Sequence, residues 1–268
     1  LLIFEYGAPF VILTHKNGVS FYQFESLAQF SEIRHGILTR HFGNSIAPLA
    51  SLNVSFGLGD ANHHIQQNRR VIARAMGGHD LIYARQVHGD QVLLLNPDQS
   101  VEGEGGSCCL GTGDALITAA VGKLLMIQLA DCQSILLYDT NLQVVANIHS
   151  GWRGSIRNIA GRTVAAMKYH FGSDPAHLLA GIGPSLGPCC AEFIHYRKEI
   201  PKRLWSYKVS QHHFDFWAIS HDQLCAAGMS PDHIENSNIC TRCNTALFFS
   251  YRGEGQTGRF ASVIGLKE

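Results

Sequence analysis

The sequence has no excess of either charge, because 21 Lys and Arg residues balance 21 Asp and Glu residues. A protein that binds along nucleic acid normally carries a basic excess, so we expect no nucleic-acid partner. No apolar run reaches the length of a transmembrane helix, and we see no signal-peptide pattern. We therefore expect no membrane association.

Internal repeats and low-complexity linkers are also missing. Charged residues make up only 16% of the chain, against 46% hydrophobic residues. A chain with this balance can bury a sizeable core and is unlike a disordered one. We predict a single domain over residues 1–268.

Cysteine is too sparse for a disulfide scaffold, since the chain has eight in 268 residues. Cys189 and Cys190 are adjacent, which is hard to reconcile with ordinary pairing, so we expect mostly free thiols in a reducing, cytoplasmic compartment. Cys240 and Cys243 form a CxxC pair. A second zinc site there would need another cysteine pair, and strain in Cys189-Cys190 argues against it, so we expect free structural thiols.

Apolar periodicity predicts both helices and strands. We expect helices over residues 62–76, from 155 to 171 and over 214–227. We expect strands over 124–129, 134–138, 144–148 and 178–182, and a C-terminal hairpin of 247–251 with 259–264. Residues 99–113 are predicted to form a surface loop. Because these elements follow no strict βαβ rhythm, we favour an α+β fold with mixed sheets.

Three residues of metal-binding type lie where a predicted strand passes into a loop. Cys132 follows strand 124–129, His149 ends strand 144–148, and His88 ends a short apolar segment. One thiolate and two imidazoles suit zinc, and three protein ligands leave a fourth position open, as in catalytic sites. On spacing alone, satisfied core histidines and an inert buried cysteine are the competing interpretation.

The neighbours of these residues add candidates. Asp131 could orient a ligand or act as a general base, or it could be an ordinary turn carboxylate. Gly151-Trp152-Arg153-Gly154 opens a predicted helix, and a helix N-terminus with an arginine suits an anion such as phosphate. An ordinary junction between loop and helix is the alternative interpretation.

Ordered motifs along residues 43–266 resemble one known family, the YfiH or laccase-domain family, also called multicopper polyphenol oxidases. The motifs that carry the resemblance include Ser51-Leu52-Asn53-Val54, Gln86-Val87-His88-Gly89, Gly113-Asp114-Ala115-Leu116-Ile117-Thr118, Ala130-Asp131-Cys132, His149-Ser150-Gly151-Trp152-Arg153-Gly154, Cys240-Thr241, Phe248-Phe249-Ser250-Tyr251-Arg252 and Thr257-Gly258-Arg259. Residues 1–42 match little and are expected to add one or more edge strands. Residues 101–111 look like an insertion.

The resemblance implies an α/β layered sandwich of mixed β-sheets flanked by helices, related to a bacterial toxin deamidase. It also implies zinc at His88, Cys132 and His149, with copper as the alternative metal. The implied activities are phosphorolysis of adenosine, inosine, guanosine and methylthioadenosine, and deamination of adenosine. The partners would be a purine nucleoside and phosphate, and a homodimer is left open.

Phosphorolysis needs a group that holds phosphate beside the ribose. The candidates are arginines, with Arg153 favoured because it adjoins a predicted ligand: Arg69, Arg70, Arg153 and Arg259. Asn53 could hydrogen-bond the sugar or the base. Any one arginine of this kind is more often a surface or structural residue than a phosphate ligand.

Three other functions stay open. A copper-dependent polyphenol oxidase would normally need His-x-His pairs, and the sequence has none, although one His₂Cys set can bind a single copper. A cysteine hydrolase would use Cys132 as nucleophile and His149 as base. A non-catalytic partner protein would bind metal without turnover.

Overall fold

The structure is a computed structural model that describes residues 11–77, 80–96, 99 and 107–268. Within these residues the strands are β1 (Val11–Lys16), β2 (Val19–Phe24), β3 (Ile33–Leu38), β4 (Asp80–Arg85), β5 (Val92–Leu95), β6 (Ser107–Thr112), β7 (Ala115–Thr118), β8 (Lys123–Leu129), β9 (Gln133–Asp139), β10 (Val144–Ser150), β11 (Leu178–Ile182), β12 (Ile234–Asn236) and β13 (Phe260–Leu266). The helices are α1 (Glu25–Ala28), α2 (Asn62–Ala75), α3 (Trp152–Ile156), α4 (Ile159–Phe171), α5 (Tyr196–Glu199), α6 (Phe216–Ala226) and α7 (Tyr251–Glu254).

The strands form two mixed sheets, as the sequence predicts. One has seven strands in the order β1-β2-β3-β13-β8-β4-β6, and the other has six in the order β12-β11-β9-β10-β7-β5. Pairing is parallel along β8-β4-β6 and at both ends of the second sheet, and antiparallel elsewhere.

The central strands are buried on both faces because their residues alternate between two apolar cores. In β8, Leu125 packs in the core shared by the two sheets, whereas Leu124 packs in the core beneath α2. In β10, Val145 belongs to the core between the sheets, and Ala146 belongs to the core beneath α4 and α6. Alternate residues of these strands therefore face the other sheet on one side and helices on the other. The result is four layers in the order helix, sheet, sheet and helix.

Strand register brings distant parts of the chain to one end of this sandwich. Ser150 lies opposite Gln133 in the β9–β10 pair, so Gly151 and Cys132 follow side by side. Ala115 lies opposite Ile148, which places the residue before β7 next to the end of β10. Ladder hydrogen bonds therefore assemble this corner before any side chain contributes.

The three predicted helices are confirmed, and so are the four predicted strands that correspond to β8, β9, β10 and β11. Their ends shift by a few residues. Helix α4 begins at Ile159, behind the separate short helix α3, because Asn158 adopts a left-handed conformation and caps α4 by accepting from the Gly161 N–H. No helix in the described ranges is long and apolar enough to cross a membrane.

The C-terminal hairpin prediction is wrong. Residues 247–250 form no strand, and Tyr251 begins the one-turn helix α7. Phe248 and Phe249 are nevertheless fully buried in the core between the sheets, which explains the apolar run that suggested a strand. Strand β13 pairs with β3 and β8 instead.

The predicted loop 99–113 is wrong in part. Ser107–Thr112 form β6, which pairs in parallel with β4, while residues 100–106 of the predicted loop and insertion lie outside the described residues. At the other edge of this sheet, the N-terminal segment supplies β1 and β2, and residues 1–10 are not among those described.

Candidate metal centre and pocket

His88, Cys132 and His149 converge where the two sheets meet. One candidate ligand atom from each lies within 4.8 Å of the others. His149 occupies the second-to-last position of β10, Cys132 lies in the turn between β8 and β9, and His88 lies in the loop after β4. His149 is buried, Cys132 half-buried and His88 exposed, so this His–Cys–His centre opens towards solvent on the His88 side.

A carboxylate behind the centre holds two of these residues in place. Asp114 Oδ1 accepts from His149 Nδ1 at 2.8 Å and from the backbone N–H of His88 at 2.9 Å, and Asp114 Oδ2 accepts from the N–H of Gly89 at 2.8 Å. The bond to Asp114 directs the proton of neutral His149 to Nδ1 and leaves the Nε2 lone pair available as a candidate metal ligand. Asp114 is fully buried, so the arrangement is rigid.

Two turns at the centre adopt conformations that non-glycine residues rarely take. His88 has φ 59° and Asp131, directly before Cys132, has φ 84°. The backbone N–H bonds to Asp114 compensate for the strain at His88. Strain of this kind concentrates at functional sites because it aims a side chain in a direction that a relaxed turn would not.

Gly151 is required at the floor of the centre by space, not by its backbone angles. A Cβ at this position would lie 2.8 Å from His88 Cδ2 and 3.2 Å from Cys132 Sγ. Since a methyl group would enter the space among the three candidate ligands, the glycine keeps room for an ion. The residues present therefore fit a metal with two nitrogen donors and one sulfur donor.

The charges within the centre favour a thiolate. Burial alone would raise the pKa of the Cys132 thiol, but His149 and His88 outweigh burial and lower that pKa to about 6. Burial would likewise lower the pKa of His149, but Cys132 and Asp114 raise it to about 9. A thiolate at neutral pH is the form of cysteine that binds metals and attacks electrophiles.

A cavity of about 970 Å³ lies over the centre. Its wall is rich in cations and aromatic rings and includes Arg69, Arg85, Arg153, Arg252, Arg259, Phe56, Tyr83, Trp152, Phe193, Phe216 and Tyr251. Asp131 is the one carboxylate among the described lining residues. A cavity of this size, with this excess of positive charge, suits a drug-sized anionic or phosphate-associated ligand.

Two of the predicted phosphate ligands do face the cavity. Arg153 is exposed in the first turn of α3, with its guanidinium 4.4 Å from the Trp152 ring centroid. Arg259 is half-buried, and its Nη1 donates to the carbonyls of Thr257 and Gly258 at 2.9 Å. Burial lowers the pKa of Arg259, an effect opposed by the negative charges of Cys132 and Asp131 on the same wall.

The structure gives Asn53 and Arg69 internal partners in place of the predicted substrate contact. Asn53 is fully buried, donates to Asp60 at 2.8 Å and accepts from the N–H of Arg259 at 2.9 Å. Arg69 reaches the cavity edge but donates twice to the Val54 carbonyl, at 2.9 and 2.8 Å. The polar side-chain atoms of both residues are already hydrogen-bonded within the protein, so both residues support the cavity wall. Arg70 does not line the cavity.

Asp131 lines the cavity and its carboxylate braces neighbouring segments, while a role as general base stays a prediction. Its Oδ1 accepts from Thr241 Oγ1 and Ser250 Oγ, each at 2.7 Å, and its Oδ2 accepts from the N–H of Arg252 at 2.6 Å. The orienting role expected of Asp131 is carried by Asp114. Asp131 therefore connects the turn that carries Cys132 to the segments that carry Thr241, Ser250 and Arg252.

Sequence reasoning missed several residues of this site. Asp114 lies in a motif that carries the family resemblance, but nothing local marks it, because its contact with His149 arises from the β7–β10 pairing. Phe193, from a loop, and Tyr251 and Arg252, from the short helix α7, reach the cavity from far along the chain. Only the motif containing Arg252 and Tyr251 offered a signal.

Residues 34–267 match the sequence model of a family described as multi-copper polyphenol oxidoreductase laccase. A relative named purine nucleoside phosphorylase YlmD, from Geobacillus stearothermophilus, is 32% identical over 87% of this chain and 90% of its own. A purine nucleoside phosphorylase from Bacteroides thetaiotaomicron is 31% identical over 90% of this chain and 94% of its own.

Solved structures show the same fold. The crystal structure of YlmD from Geobacillus stearothermophilus superposes with a TM-score of 0.85 at 29% identity, over 97% of this chain and 100% of that one. The crystal structure of the Bacillus licheniformis hypothetical protein YfiH gives a TM-score of 0.82 at 27% identity, over 95% and 99%.

Proposed function

Because the chain belongs to the laccase-domain family and its relatives include proteins named purine nucleoside phosphorylases, we propose that it is a zinc-dependent purine nucleoside phosphorylase. Its substrates would be adenosine, inosine, guanosine and methylthioadenosine, together with phosphate. The observation that carries the proposal is the His–Cys–His centre at the floor of a cationic, aromatic cavity.

Zinc is the metal that the donor set favours. His88, Cys132 and His149 supply two nitrogens and one sulfur, and Gly151 keeps the space between them free. Asp114 behind His149 matches the carboxylate support that metal-bound histidines usually have. A zinc ion held there would supply Lewis acidity at an open fourth position.

Phosphate would be held by the arginines of the wall. In phosphorolysis a phosphate oxygen forms a bond to ribose C1′, the bond from C1′ to the purine nitrogen breaks, and the departing base takes the electron pair. Arg153 and Arg259 line the same cavity as the three candidate ligands, and guanidinium groups bind phosphate through paired donors. Their role is to place the nucleophile and to balance its charge.

The purine base would pack on the aromatic part of the wall. Phe193 and Trp152 contact each other edge to face, with ring centroids 5.8 Å apart, and both line the cavity. Flat apolar faces of this kind bind a purine whatever its substituents, which fits a proposed substrate range from adenosine to guanosine.

Adenosine deamination belongs to the same proposal as a second reaction. It replaces the exocyclic amine of adenine with oxygen from water and releases ammonia, and metal sites with an open position support it in other folds. The centre meets the requirement for an open position because His88 is exposed on the cavity side.

A cysteine nucleophile is the second candidate, and one observation favours it. Cys132, His149 and Asp114 stand in the order of a thiol, a base and an orienting carboxylate, with the pKa of Cys132 lowered to about 6. In this alternative no metal is needed. The copper oxidase alternative, which follows from the family description, would instead require copper at the same three residues.

Metal analysis and turnover on the same purified protein test the proposal. We expect zinc in the wild type, and conversion of inosine with phosphate to hypoxanthine and ribose 1-phosphate that stops when phosphate is omitted. Formation of inosine from adenosine, without added phosphate, measures deamination. Metal-free protein with full turnover would favour the Cys132 nucleophile, and copper with phenol oxidation would favour the oxidase.

A further inference from the structure

A second group of metal-binding side chains lies outside the His–Cys–His centre. Cys189 and Cys190 follow β11 in a tight turn, and Cys240 and Cys243 lie in the loop after β12. The sulfur atoms of these residues, which we call the four-cysteine cluster, all lie within 4.8 Å of one another. The two pairs are about 50 residues apart in sequence, so only the tertiary fold brings them together.

The sulfur spacing is that of ligands around one ion. Cys243 Sγ lies 3.7 Å from Cys189 Sγ and 3.6 Å from Cys190 Sγ. A tetrahedral zinc with Zn–S bonds of about 2.3 Å holds its sulfurs about 3.8 Å apart, whereas a disulfide needs about 2.05 Å. Both Cys243 distances therefore match a tetrathiolate site and exclude a disulfide to Cys243, and all four sulfurs lie within 4.8 Å of one another.

The backbone around the cluster also resembles a zinc-binding loop. Cys240 and Cys243 have the CxxC spacing of such loops. The N–H of Gly187 points at Cys240 Sγ, with a distance of 3.3 Å between nitrogen and sulfur. Backbone donors to sulfur stabilise a thiolate at metal sites. This contact is independent of the sulfur distances and points to the same charged form of Cys240.

The adjacent pair, which the sequence suggested was too strained, reaches the same point through its turn. The N–H groups of Cys190 and Ala191 both donate to the Gly187 carbonyl at 2.9 Å. This helical curvature lets consecutive side chains share one side, which they could not do in an extended strand. Cys190 and Cys240 form the buried side of the cluster, and Cys189 and Cys243 form its exposed side.

We propose that Cys189, Cys190, Cys240 and Cys243 bind a second, structural zinc ion. The ion would join the loop after β11, which contributes Leu186 and Ala191 to the cavity wall, to the loop after β12. Four protein ligands close the coordination shell, so this ion would take no part in turnover. Thr241, between two of the ligands, donates to Asp131, and Leu186 in the other loop donates through its N–H to the Asp131 carbonyl. The ion would thus fix both loops against the turn that carries Cys132.

Zinc stoichiometry separates the two sites. With zinc supplied during expression, we expect two zinc ions per wild-type chain, one in Cys132→Ala and one in the double variant Cys189→Ser with Cys243→Ser. Cys225→Ser is the matched control, since Cys225 lies outside both groups, and it should keep two. A double variant with the same zinc content as the wild type would overturn the proposal.

Thiol labelling of the wild type gives a test that no folding defect can obscure. In zinc-loaded protein, Cys189 and Cys243 should resist alkylation while Cys109, which is also exposed, reacts. A chelator should raise the alkylation rates of Cys189 and Cys243 and leave the rate of Cys109 unchanged. Labelling of Cys189 and Cys243 as fast as Cys109 before chelation, or a disulfide within the cluster in freshly isolated protein, would refute a bound metal.

Cobalt substitution reports the ligand type directly. Cobalt bound to four thiolates has intense sulfur-to-metal charge-transfer absorption, which should survive in Cys132→Ala. In the double serine variant it should fall to the weaker band of the single thiolate Cys132. The result does not depend on nucleoside turnover, so failure of the four-cysteine proposal and failure of the proposed phosphorylase activity can be told apart.

Discussion

The His–Cys–His centre and the four-cysteine cluster use the same element, cysteine sulfur, in opposite ways. The centre has one candidate ligand near the end of a strand and two in the loops that follow strands, with a buried carboxylate behind them and an exposed histidine towards the cavity. The cluster has four candidate ligands on two loops and a backbone N–H pointing at one sulfur. A metal with three protein ligands keeps a position open for substrate, and a metal with four does not. The number of candidate ligands therefore distinguishes a catalytic type of site from a structural one.

Removing the sulfur of the centre should have the largest effect on activity. Cys132→Ser is expected to lose nucleoside turnover by about 10³-fold or more, because the oriented charge at the floor of the cavity goes with it. Turnover and zinc content are measured together, with Cys225→Ser as the control. Retention of wild-type activity by Cys132→Ser would remove both the zinc and the nucleophile interpretations.

The carboxylate behind the centre should matter less than the ligand itself. Asp114→Asn keeps the shape but weakens the bond that orients His149, so we expect zinc affinity and turnover to fall about 10- to 100-fold. Zinc content of the four-cysteine cluster should not change. Equal loss of zinc from both sites in a metal-competition titration would show general unfolding instead of a local effect.

The cationic wall is testable through the phosphate dependence of the rate. Arg153→Ala should raise KM for phosphate about 10-fold, since a charge-assisted hydrogen bond is lost, and should leave KM for the nucleoside nearly unchanged. Arg157→Ala is a matched control, because Arg157 is exposed on the same short segment, pairs with Asp90 and does not line the cavity. A similar phosphate effect in both variants would point to general electrostatics.

The smallest expected difference between the two groups is in the pH dependence of thiol alkylation in metal-free protein. The pKa of Cys132 is lowered to about 6, so its alkylation rate should be near maximal at neutral pH and fall as pH drops through 6. Partial burial and neighbouring thiols raise the pKa of Cys243 to about 11, so its rate should still climb well above pH 8. The rates are followed by mass spectrometry on chelator-treated wild type. Equal pH profiles would show that the two environments do not differ.

Much of the fold could be predicted from local pattern alone. The strands β8 to β11 are continuous apolar runs, as expected for strands covered on both faces, and α2 and α4 have clear amphipathic repeats. The run at Phe248-Phe249 misled the same reasoning, because an apolar pair inserted from a loop and a short strand have the same composition. The burial of Phe248 and Phe249 was predictable, but the absence of strand pairing at these two residues was not.

The candidate site divides in the same manner. His88, Cys132 and His149 could be selected from their residue types and positions, whereas Asp114 could not, since its role depends on a strand pairing that no local sequence specifies. Asn53 and Arg69 look like ligand-binding residues in sequence. Their polar atoms are satisfied internally, which only the packed structure reveals.

By itself, the amino-acid sequence determined the mixed α/β class, the doubly buried strands and the family to which the chain belongs, because these depend on residue type and short-range periodicity. Only the tertiary structure decided which side chains meet. The convergence of the three candidate ligands, the support from Asp114 and the joining of two distant cysteine pairs all depend on contacts between residues far apart in sequence. Such contacts form only when strand register and loop packing are set together.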